Sequence, residues 1–213
     1  MLKNRDKPLF IVIDGIDGCG KSTIGRLTFQ YLQGLSINVV LTREPGGSPF
    51  FEPIRRMLLK SESSIETLTE TLLFFADRYE HIKKIIEPSL HANINVICDR
   101  FIASTYAYQC FGSGADINLV NTLKEHIVSF EPDITIILDI DIHLALKRIN
   151  NKISDKTAHI DETRYEKLGI SFYTKVRKGF LWYAKQFNNV FVVNANRDVD
   201  TVFADVINIL EKY

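Results

Sequence analysis

A glycine-rich stretch near the start of the chain has the residue types and spacing that bind phosphate groups. Gly15, Ile16, Asp17, Gly18, Cys19, Gly20, Lys21 and Ser22 fit the pattern G-x-x-x-x-G-K-[ST]. Glycines here let backbone N–H groups converge on phosphate oxygens, and the amino end of a following helix adds partial positive charge. In such a loop Lys21 neutralises the β- and γ-phosphates, and the Ser22 hydroxyl ligates Mg²⁺. An apolar run precedes the motif and a helical pattern begins at Thr23, so the sequence predicts a nucleoside triphosphate site.

A carboxylate and an arginine follow a later apolar run. Asp99 and Arg100 stand directly after Val96-Ile97-Cys98. Asp99 is placed to help hold Mg²⁺, directly or through water. An arginine at the carboxyl end of a parallel strand points into the crevice where ligands bind, so we expect Arg100 to contact phosphate. A GTPase would normally carry the guanine-reading pattern N-K-x-D. The nearest string, Asn151-Lys152-Ile153-Ser154, lacks its aspartate.

Short apolar runs alternate with longer stretches of helical spacing. The predicted strands are Leu9–Ile13, Asn38–Leu41, Asn95–Cys98, Ile134–Leu138 and Val190–Val193. The predicted helices are Lys21–Gln33, Glu66–Leu90, Asn118–Ser129, His143–Asn151 and Asp161–Phe187. The strands are apolar almost throughout, which is typical of strands covered on both faces. The alternation predicts a single α/β domain over residues 1–213, with a five-stranded parallel sheet flanked by helices.

Two segments lie outside this alternation. Thr42–Phe51 is predicted to be a loop because it holds Pro45, Gly46, Gly47 and Pro49. Lys152–Thr163 is polar and separates two helical stretches. It is either a surface loop without a role or, in a protein that handles phosphates, a lid over about residues 150–164.

The composition excludes several classes of protein. The chain has 26 basic and 26 acidic residues and no net charge, so a nucleic-acid binder is not expected. Its three cysteines include no C-x-x-C spacing, which argues against a disulfide framework or a structural zinc site. The apolar run 9–13 is too short for a signal segment or a membrane span. We therefore expect a cytoplasmic protein with no membrane contact.

Four further strings make a family resemblance specific. They are T-R-E-P-G-G at 42–47, L-L-F-F-A-D-R at 72–78, D-R-F at 99–101 and S-T-Y-A-Y-Q at 104–109. Together with the phosphate-binding loop, they resemble the thymidylate kinases over most of the chain. The resemblance implies the three-layer P-loop NTPase fold with a short lid. It also implies phosphorylation of dTMP to dTDP with ATP and Mg²⁺, in dTTP biosynthesis, by a homodimer.

The resemblance assigns residues to each part of the site. ATP is expected to contact Gly15, Ile16, Asp17, Gly18, Cys19, Gly20, Lys21, Ser22, Thr23 and Arg148. The acceptor is expected to contact Arg43, Glu44, Pro45, Phe74, Arg78, Arg100, Ser104, Thr105, Tyr108 and Gln109. The implied catalytic residues are Lys21, Asp17, Arg100 and Arg164, and the implied metal ligands are Ser22 and Asp99.

The thymine contacts implied by the resemblance are particular. Phe74 lies one helical turn before Arg78, so both can face one pocket. Phe74 would stack on the thymine ring and Arg78 would reach a base carbonyl, whereas Phe75 is better suited to the core. Thr105 would hydrogen-bond the N3 edge, and Tyr108 would crowd the sugar 2′ position and exclude ribonucleotides.

The remaining implied contacts concern phosphate and sugar. Arg100 would bind the acceptor 5′-phosphate, with Arg43 close by. Asp17 would lie near the acceptor sugar and the transferred phosphoryl group. Asp14, beside the first strand, is either part of the site or structural.

The lid is expected to supply a catalytic cation. Family members with glycine at the position of Gly18, in place of arginine, take this cation from the lid. The candidates, in order, are Arg164, Lys156 and Lys152. Two departures from the common family pattern are Phe101 for tyrosine and Thr163 for aspartate.

Three alternative functions are weighed against this one. A deoxynucleoside kinase would need a carboxylate base near the 5′-hydroxyl, whereas an acceptor phosphate needs arginines. A kinase for another monophosphate would share the arginines. A non-catalytic nucleotide-binding module would bind ATP without turnover and leaves Phe74, Thr105 and Tyr108 unexplained.

Overall fold

The structure is a computed structural model that describes residues 7–60, 65–154, 164–165 and 168–213, without the side chains of 49 and 152–154. The strands are β1 (Phe10–Asp14), β2 (Val39–Arg43), β3 (Asn95–Asp99), β4 (Ile134–Asp139) and β5 (Val190–Asn194). The α-helices are α1 (Lys21–Gly34), α2 (Glu52–Leu59), α3 (Thr67–His81), α4 (Glu87–His91), α5 (Ile102–Thr105), α6 (Ile117–Ile127), α7 (Ile142–Ser154), α8 (Gly169–Ala184) and α9 (Val199–Leu210). A 3₁₀ turn spans Pro49–Phe51, and π-helical turns span Ile82–Ile86 and Tyr106–Gly112.

The five strands form one parallel sheet in the order β2-β3-β1-β4-β5, which confirms the predicted fold class. Helix α1 packs on β2 and β3 and against α9, while α8 packs along the π-helix 106–112 and on β4 and β5. Parallel strands place their carboxyl ends at one edge, so the residues after β1, β2 and β3 meet there.

Burial follows the position of each strand in the sheet. Every residue of β1 is buried, and β3 and β4 are buried over most of their length. Strands β2 and β5 are only partly covered, with Leu41 36% and Val192 47% exposed. The expectation of strands covered on both faces holds for the centre of the sheet and fails at its edges, where the helix layers leave side chains of β2 and β5 partly exposed.

The structure corrects several element boundaries. The predicted loop 42–51 begins later, because Thr42 and Arg43 continue β2 in register with Cys98 and Asp99. Helix α7 continues to Ser154, so the first residues predicted for the lid, from Lys152, are helical. Helix α8 begins at Gly169, and the predicted start of this helix at Asp161 lies outside the described residues.

Three helical segments were not predicted. Residues 102–112 hold several aromatic, β-branched and small polar residues with weak helix propensity, and form α5 and a π-helix through tertiary packing. Helix α9 carried a readable pattern, since Val202, Val206 and Leu210 recur at four-residue spacing and are buried. Helix α2, the third of these segments, directly follows the loop after β2.

No helix among the described residues is long and apolar enough to cross a membrane. The single-domain boundary at 1–213 stays a prediction.

Candidate active site

The phosphate-binding loop takes a backbone shape that requires glycine. Gly15 has φ 140° and Gly18 has φ 78°, in the range that favours glycine. A Cβ at Gly15 would lie 2.6 Å from the Leu138 carbonyl oxygen, and one at Gly18 would lie 2.5 Å from the Ala145 carbonyl oxygen. Neither position accepts a side chain, because the motif lies against the carboxyl end of β4 and the start of α7.

The loop lysine points back over its own loop. Lys21 is 7% exposed, and its ammonium donates to the Ile16 carbonyl at 2.9 Å. This places the cation against the backbone of the loop, where phosphate oxygens would replace the carbonyl as its partner.

Two oxygen donors meet at the end of the loop. The Ser22 hydroxyl donates to the Asp99 carboxylate at 2.6 Å, across the gap between α1 and β3. Magnesium is bound in proteins through one or two such side-chain oxygens, with waters and substrate phosphates completing the octahedron. The donor set therefore fits Mg²⁺, and the structure brings the two expected ligands together.

A cavity of about 360 Å³ adjoins the outer side of the loop. It is lined by Gly18, Cys19, Gly20, Thr23, Ile24, Arg148, Asn151, Ala195, Arg197, Val199 and Val202. Arg148 donates to the Gly18 carbonyl at 3.5 Å, and Arg197 donates to the Asn194 carbonyl at 3.1 Å. An apolar floor between two guanidinium groups suits a flat heteroaromatic ring. Arg197 and the α9 residues were missed, because α9 itself was not predicted.

Arg100 lies where the loop, β3 and α5 meet. Its backbone is left-handed, with φ 73°, a strained conformation for a residue with a side chain. The guanidinium forms an ion pair with Asp17 and donates to the Ser104 hydroxyl at 3.1 Å and the Gly15 carbonyl at 3.4 Å. The strained turn thus aims the cation across the phosphate-binding loop.

Asp17 is held in its charged form by its neighbours. Burial acts to raise the pKa of Asp17, but Arg100, Lys21 and two tyrosine hydroxyls outweigh it and the pKa is lowered. Tyr108 donates to the Asp17 carboxylate at 2.7 Å and Tyr173 donates to it at 3.1 Å. A carboxylate whose negative charge is stabilised in this way is a weak base. Tyr173, on α8, was not predicted as a site residue.

Asp14 has a structural role. It is fully buried and accepts hydrogen bonds from the Gly15 and Ser104 backbone amides at 2.9 and 3.0 Å and from the Ser104 hydroxyl at 2.7 Å. Asp14 therefore ties β1 to the start of α5, and the predicted acceptor contact Ser104 serves to position Arg100.

A buried polar chain links the loop after β2 to α3. Glu44 accepts from Arg78 at 2.8 Å and shares a hydrogen bond of 2.9 Å with the ring of His81. The other His81 nitrogen lies 2.7 Å from the Thr42 hydroxyl. Arg78 also donates to the Thr105 hydroxyl at 2.9 Å. The predicted thymine contacts Arg78 and Thr105 are thus connected, through Glu44, to a histidine that the sequence analysis did not select.

The same helix fixes the two glycines of this loop. The Asp77 carboxylate accepts from the Gly46 amide at 2.9 Å. A Cβ at Gly47 would lie 2.4 Å from the His81 ring, so only glycine allows the loop to lie against α3. Phe74 is half-buried on this helix, whereas Phe75 is 1% exposed in the core.

The outer part of the loop contacts α2. Arg43 forms an ion pair of 3.5 Å with Glu52, and the Arg43 side chain is 53% exposed. Pro45 is buried, and its carbonyl accepts from Arg55 at 2.8 Å. Arg43 is therefore accessible to an anionic ligand although it pairs with Glu52, and Pro45 anchors the loop through its backbone carbonyl.

Arg164 lies apart from the phosphate-binding loop contacts. Its guanidinium is 2.5 Å from the buried carboxylate of Glu70, which also accepts from Gln109 at 2.7 Å. Of the other lid candidates, Lys156 and the side chain of Lys152 lie outside the described residues. The expected catalytic arginine is engaged in a structural ion pair in this conformation.

Comparisons with known proteins agree with this geometry. The family model described as thymidylate kinase matches residues 13–206. The chain is 43% identical to a thymidylate kinase of Wolbachia pipientis from Culex pipiens, covering 96% of both chains. It is 41% identical to one of Ruegeria pomeroyi, covering 95% of this chain and 94% of that one.

A solved structure shows the same fold. The crystal structure of thymidylate kinase from Ehrlichia chaffeensis superposes with a TM-score of 0.77 at 37% identity, covering 96% of this chain and 99% of that one. Since the family model spans most of the chain and the relatives match over nearly its whole length, this chain belongs to the thymidylate kinase family.

Proposed function

We propose that the chain transfers the γ-phosphoryl group of ATP to dTMP, giving dTDP, with Mg²⁺ bound. The observation that carries the proposal is the place of Arg100, which spans from the phosphate-binding loop to the acceptor side through Gly15, Asp17 and Ser104. A cation at this point can hold an acceptor phosphate in line with the donor phosphate.

The charge of Asp17 favours a phosphate acceptor over a hydroxyl acceptor. A deoxynucleoside kinase needs a carboxylate that accepts the 5′-hydroxyl proton, and its pKa should be near the working pH. Asp17 is the carboxylate beside Arg100, and its lowered pKa makes it a poor proton acceptor. We infer that Asp17 orients Arg100 and the acceptor sugar and does not act as a base.

The thymine site is proposed between α3 and the π-helix. Phe74, half-buried, would offer its ring for stacking. Thr105 accepts a hydrogen bond from Arg78 and keeps a second lone pair for the thymine N3–H. Tyr108 would lie under the sugar, and its hydroxyl is held by Asp17, so a ribose 2′-hydroxyl would meet a ring that cannot move away.

The nucleotide site is proposed along the phosphate-binding loop. The adenine ring of ATP would occupy the cavity between Arg148 and Arg197, with its phosphates over Lys21. Ser22 and Asp99 would hold Mg²⁺, which supplies charge neutralisation to the β- and γ-phosphates when bound. The backbone at Gly18 leaves no room for an arginine side chain in the loop. This supports the expectation that the catalytic cation comes from the lid.

The acceptor site is tested by replacing Arg100. We expect Arg100→Ala to leave the ATP dissociation constant within about twofold, because Arg100 is not among the residues that line the cavity proposed for ATP. The kcat/KM for dTMP should fall at least about 100-fold, as for loss of a charge-assisted phosphate contact. Arg26→Ala, an exposed residue on α1, is the matched control. Unchanged dTMP kinetics in Arg100→Ala would contradict the assignment.

Homodimer formation and the cytoplasmic location expected from the sequence stay predictions.

A further inference from the structure

A buried carboxylate on α3 gathers three side chains around the acceptor side. Glu70 is 1% exposed, and both of its oxygens are engaged. One oxygen accepts from the Gln109 amide at 2.7 Å and from the Tyr165 hydroxyl at 2.6 Å. The other lies 2.5 Å from the Arg164 guanidinium. A buried carboxylate is costly unless its lone pairs are filled, and here three donors fill them.

Gln109, the first partner, links Glu70 to the π-helix 106–112. Gln109 is 2% exposed and follows Tyr108 directly. Its amide nitrogen donates to Glu70 and lies 3.2 Å from the Tyr165 hydroxyl. These contacts determine which end of the Gln109 amide faces away from Glu70. Glu70 therefore sets the orientation of a predicted acceptor contact.

Tyr165, the second partner, links Glu70 to Tyr108, the residue proposed to lie under the sugar. The Tyr165 ring lies edge-on to the Tyr108 ring, with centroids 5.1 Å apart, and stacks on Phe172 at 5.9 Å. Tyr108 in turn binds Asp17 and lies under the Arg100 guanidinium, 5.0 Å from its ring centre. The position of Tyr165 thus decides how tightly Tyr108 is confined.

Arg164, the third partner, joins the end of the predicted lid to α2. The Arg164 backbone amide donates to the Leu59 carbonyl, and its guanidinium donates to the Leu58 carbonyl, both at 3.2 Å. These carbonyls end α2, where a cation is favoured by the helix dipole. Arg164 therefore has two anchors, the α2 end and Glu70.

We propose that Glu70 is a positioning residue of the acceptor site. It holds Gln109, Tyr165 and Arg164 at once and so fixes the wall that confines Tyr108 and the acceptor nucleotide. This role rests on the proposed function for its kinetic consequence. Its structural consequence, immobilisation of Arg164 and Tyr165, is independent of any substrate.

The test replaces Glu70 by Gln, which keeps the shape of the side chain but removes the charge that holds Arg164. We expect the KM for dTMP to rise about tenfold or more, as for a lost hydrogen bond to a charged group, with the KM for ATP within about twofold. Glu66→Gln, an exposed glutamate one turn earlier, is the matched control and should leave both values unchanged. Circular dichroism and the Tm show whether each variant is folded.

Two further measurements separate positioning from general destabilisation. Trypsin cleavage after Arg164, followed by mass spectrometry on the free enzyme, should be faster in Glu70→Gln than in the parent and unchanged in Glu66→Gln. Arg164→Gln should raise the KM for dTMP as well. The double variant should be no worse than the more affected single variant, because both changes break one pair.

The outcomes are distinguishable. A KM for dTMP within twofold of the parent in Glu70→Gln would overturn the positioning role, and so would unchanged cleavage after Arg164. Additive effects of the two substitutions would also overturn it. If the parent itself does not phosphorylate dTMP, the proposed function fails, and the cleavage rate alone decides whether Glu70 holds Arg164 and Tyr165.

Discussion

Asp17 and Asp77 have pKa values displaced in opposite directions because they face different charges. Arg100 and Lys21 face Asp17 and, against the effect of burial, lower its pKa. Asp77 is desolvated and lies near Glu44, and these effects raise the pKa of Asp77 to about 6. One of its carboxylate oxygens is buried without a hydrogen-bond partner among the described residues.

The raised pKa of Asp77 gives a pH-dependent stability. Between its ordinary value of 3.8 and about 6, the folded protein holds this proton more tightly than the unfolded chain does. The contribution of Asp77 to the free energy of unfolding is therefore full below pH 3.8 and is lost as the pH rises through about 6. The change corresponds to roughly 3 kcal/mol for about two pKa units.

Asp77→Asn should remove this dependence, because the amide does not ionise while its oxygen can still accept from the Gly46 amide. We expect the free energy of unfolding of the variant, relative to the parent, to rise by roughly 3 kcal/mol from about pH 4 to about pH 7. Urea unfolding at a series of pH values measures it. A difference between variant and parent that does not change with pH would refute the displaced pKa.

Site residues differ in how far the sequence alone could identify them. Arg100 and Asp17 lie in short motifs, and the structure brings them together as an ion pair. Tyr173 and Asp17 are separated by 156 positions, and Tyr165 and Glu70 by 95. No spacing rule connects residues so far apart, so these partners emerge only from the folded chain.

At the scale of elements, the loop after β2 is shaped by α3. Gly47→Ala would place a Cβ 2.4 Å from the His81 ring and 2.6 Å from the Arg43 carbonyl oxygen. The loop must shift, so we expect a loss of about 1–3 kcal/mol in stability and a higher KM for dTMP. Thermal unfolding and steady-state kinetics measure both effects.

The matched control is Gly34→Ala at the end of α1, where a new Cβ meets no atom within 4 Å. This change should stabilise the protein by about 0.5–1 kcal/mol through the better helix propensity of alanine. A Gly47→Ala variant as stable and active as the parent would show that the loop is not pressed against α3.

The strands were predicted more reliably than the helices. A buried parallel strand has an apolar run that little else produces, and all five were placed within two residues of their observed ends. The π-helix 106–112 has no such pattern, because Tyr108 and Gln109 make polar contacts inside the site while Tyr106 packs against Trp182 and Tyr183 of α8. Its wider turn is held by packing against α8.

At the scale of the whole molecule, α3 leaves part of its apolar stripe uncovered. Phe75 and Ile82 are buried, but Leu68, Leu72 and Tyr79 are 54%, 45% and 47% exposed. We propose that a second copy of the chain covers the exposed part, in the homodimer that the family resemblance implies.

Leu72→Glu should then weaken self-association, because a charge would be buried in the interface. Sedimentation should give twice the 24.4 kDa chain mass for the parent and the single chain mass for the variant at micromolar concentration. Val192→Glu, on the exposed edge of the sheet, is the control and should remain a dimer. A monomeric parent would contradict the proposal.

A single assay shows which acceptor the protein phosphorylates. ADP release with ATP and Mg²⁺ is measured for the parent protein against dTMP, dUMP, UMP, dCMP, dGMP and thymidine. We expect strong turnover with dTMP, weaker turnover with dUMP, and none with UMP or thymidine, because Arg100 needs the phosphate and Tyr108 excludes the 2′-hydroxyl. Equal activity on thymidine, or no activity on any acceptor while ATP still binds, would contradict this expectation.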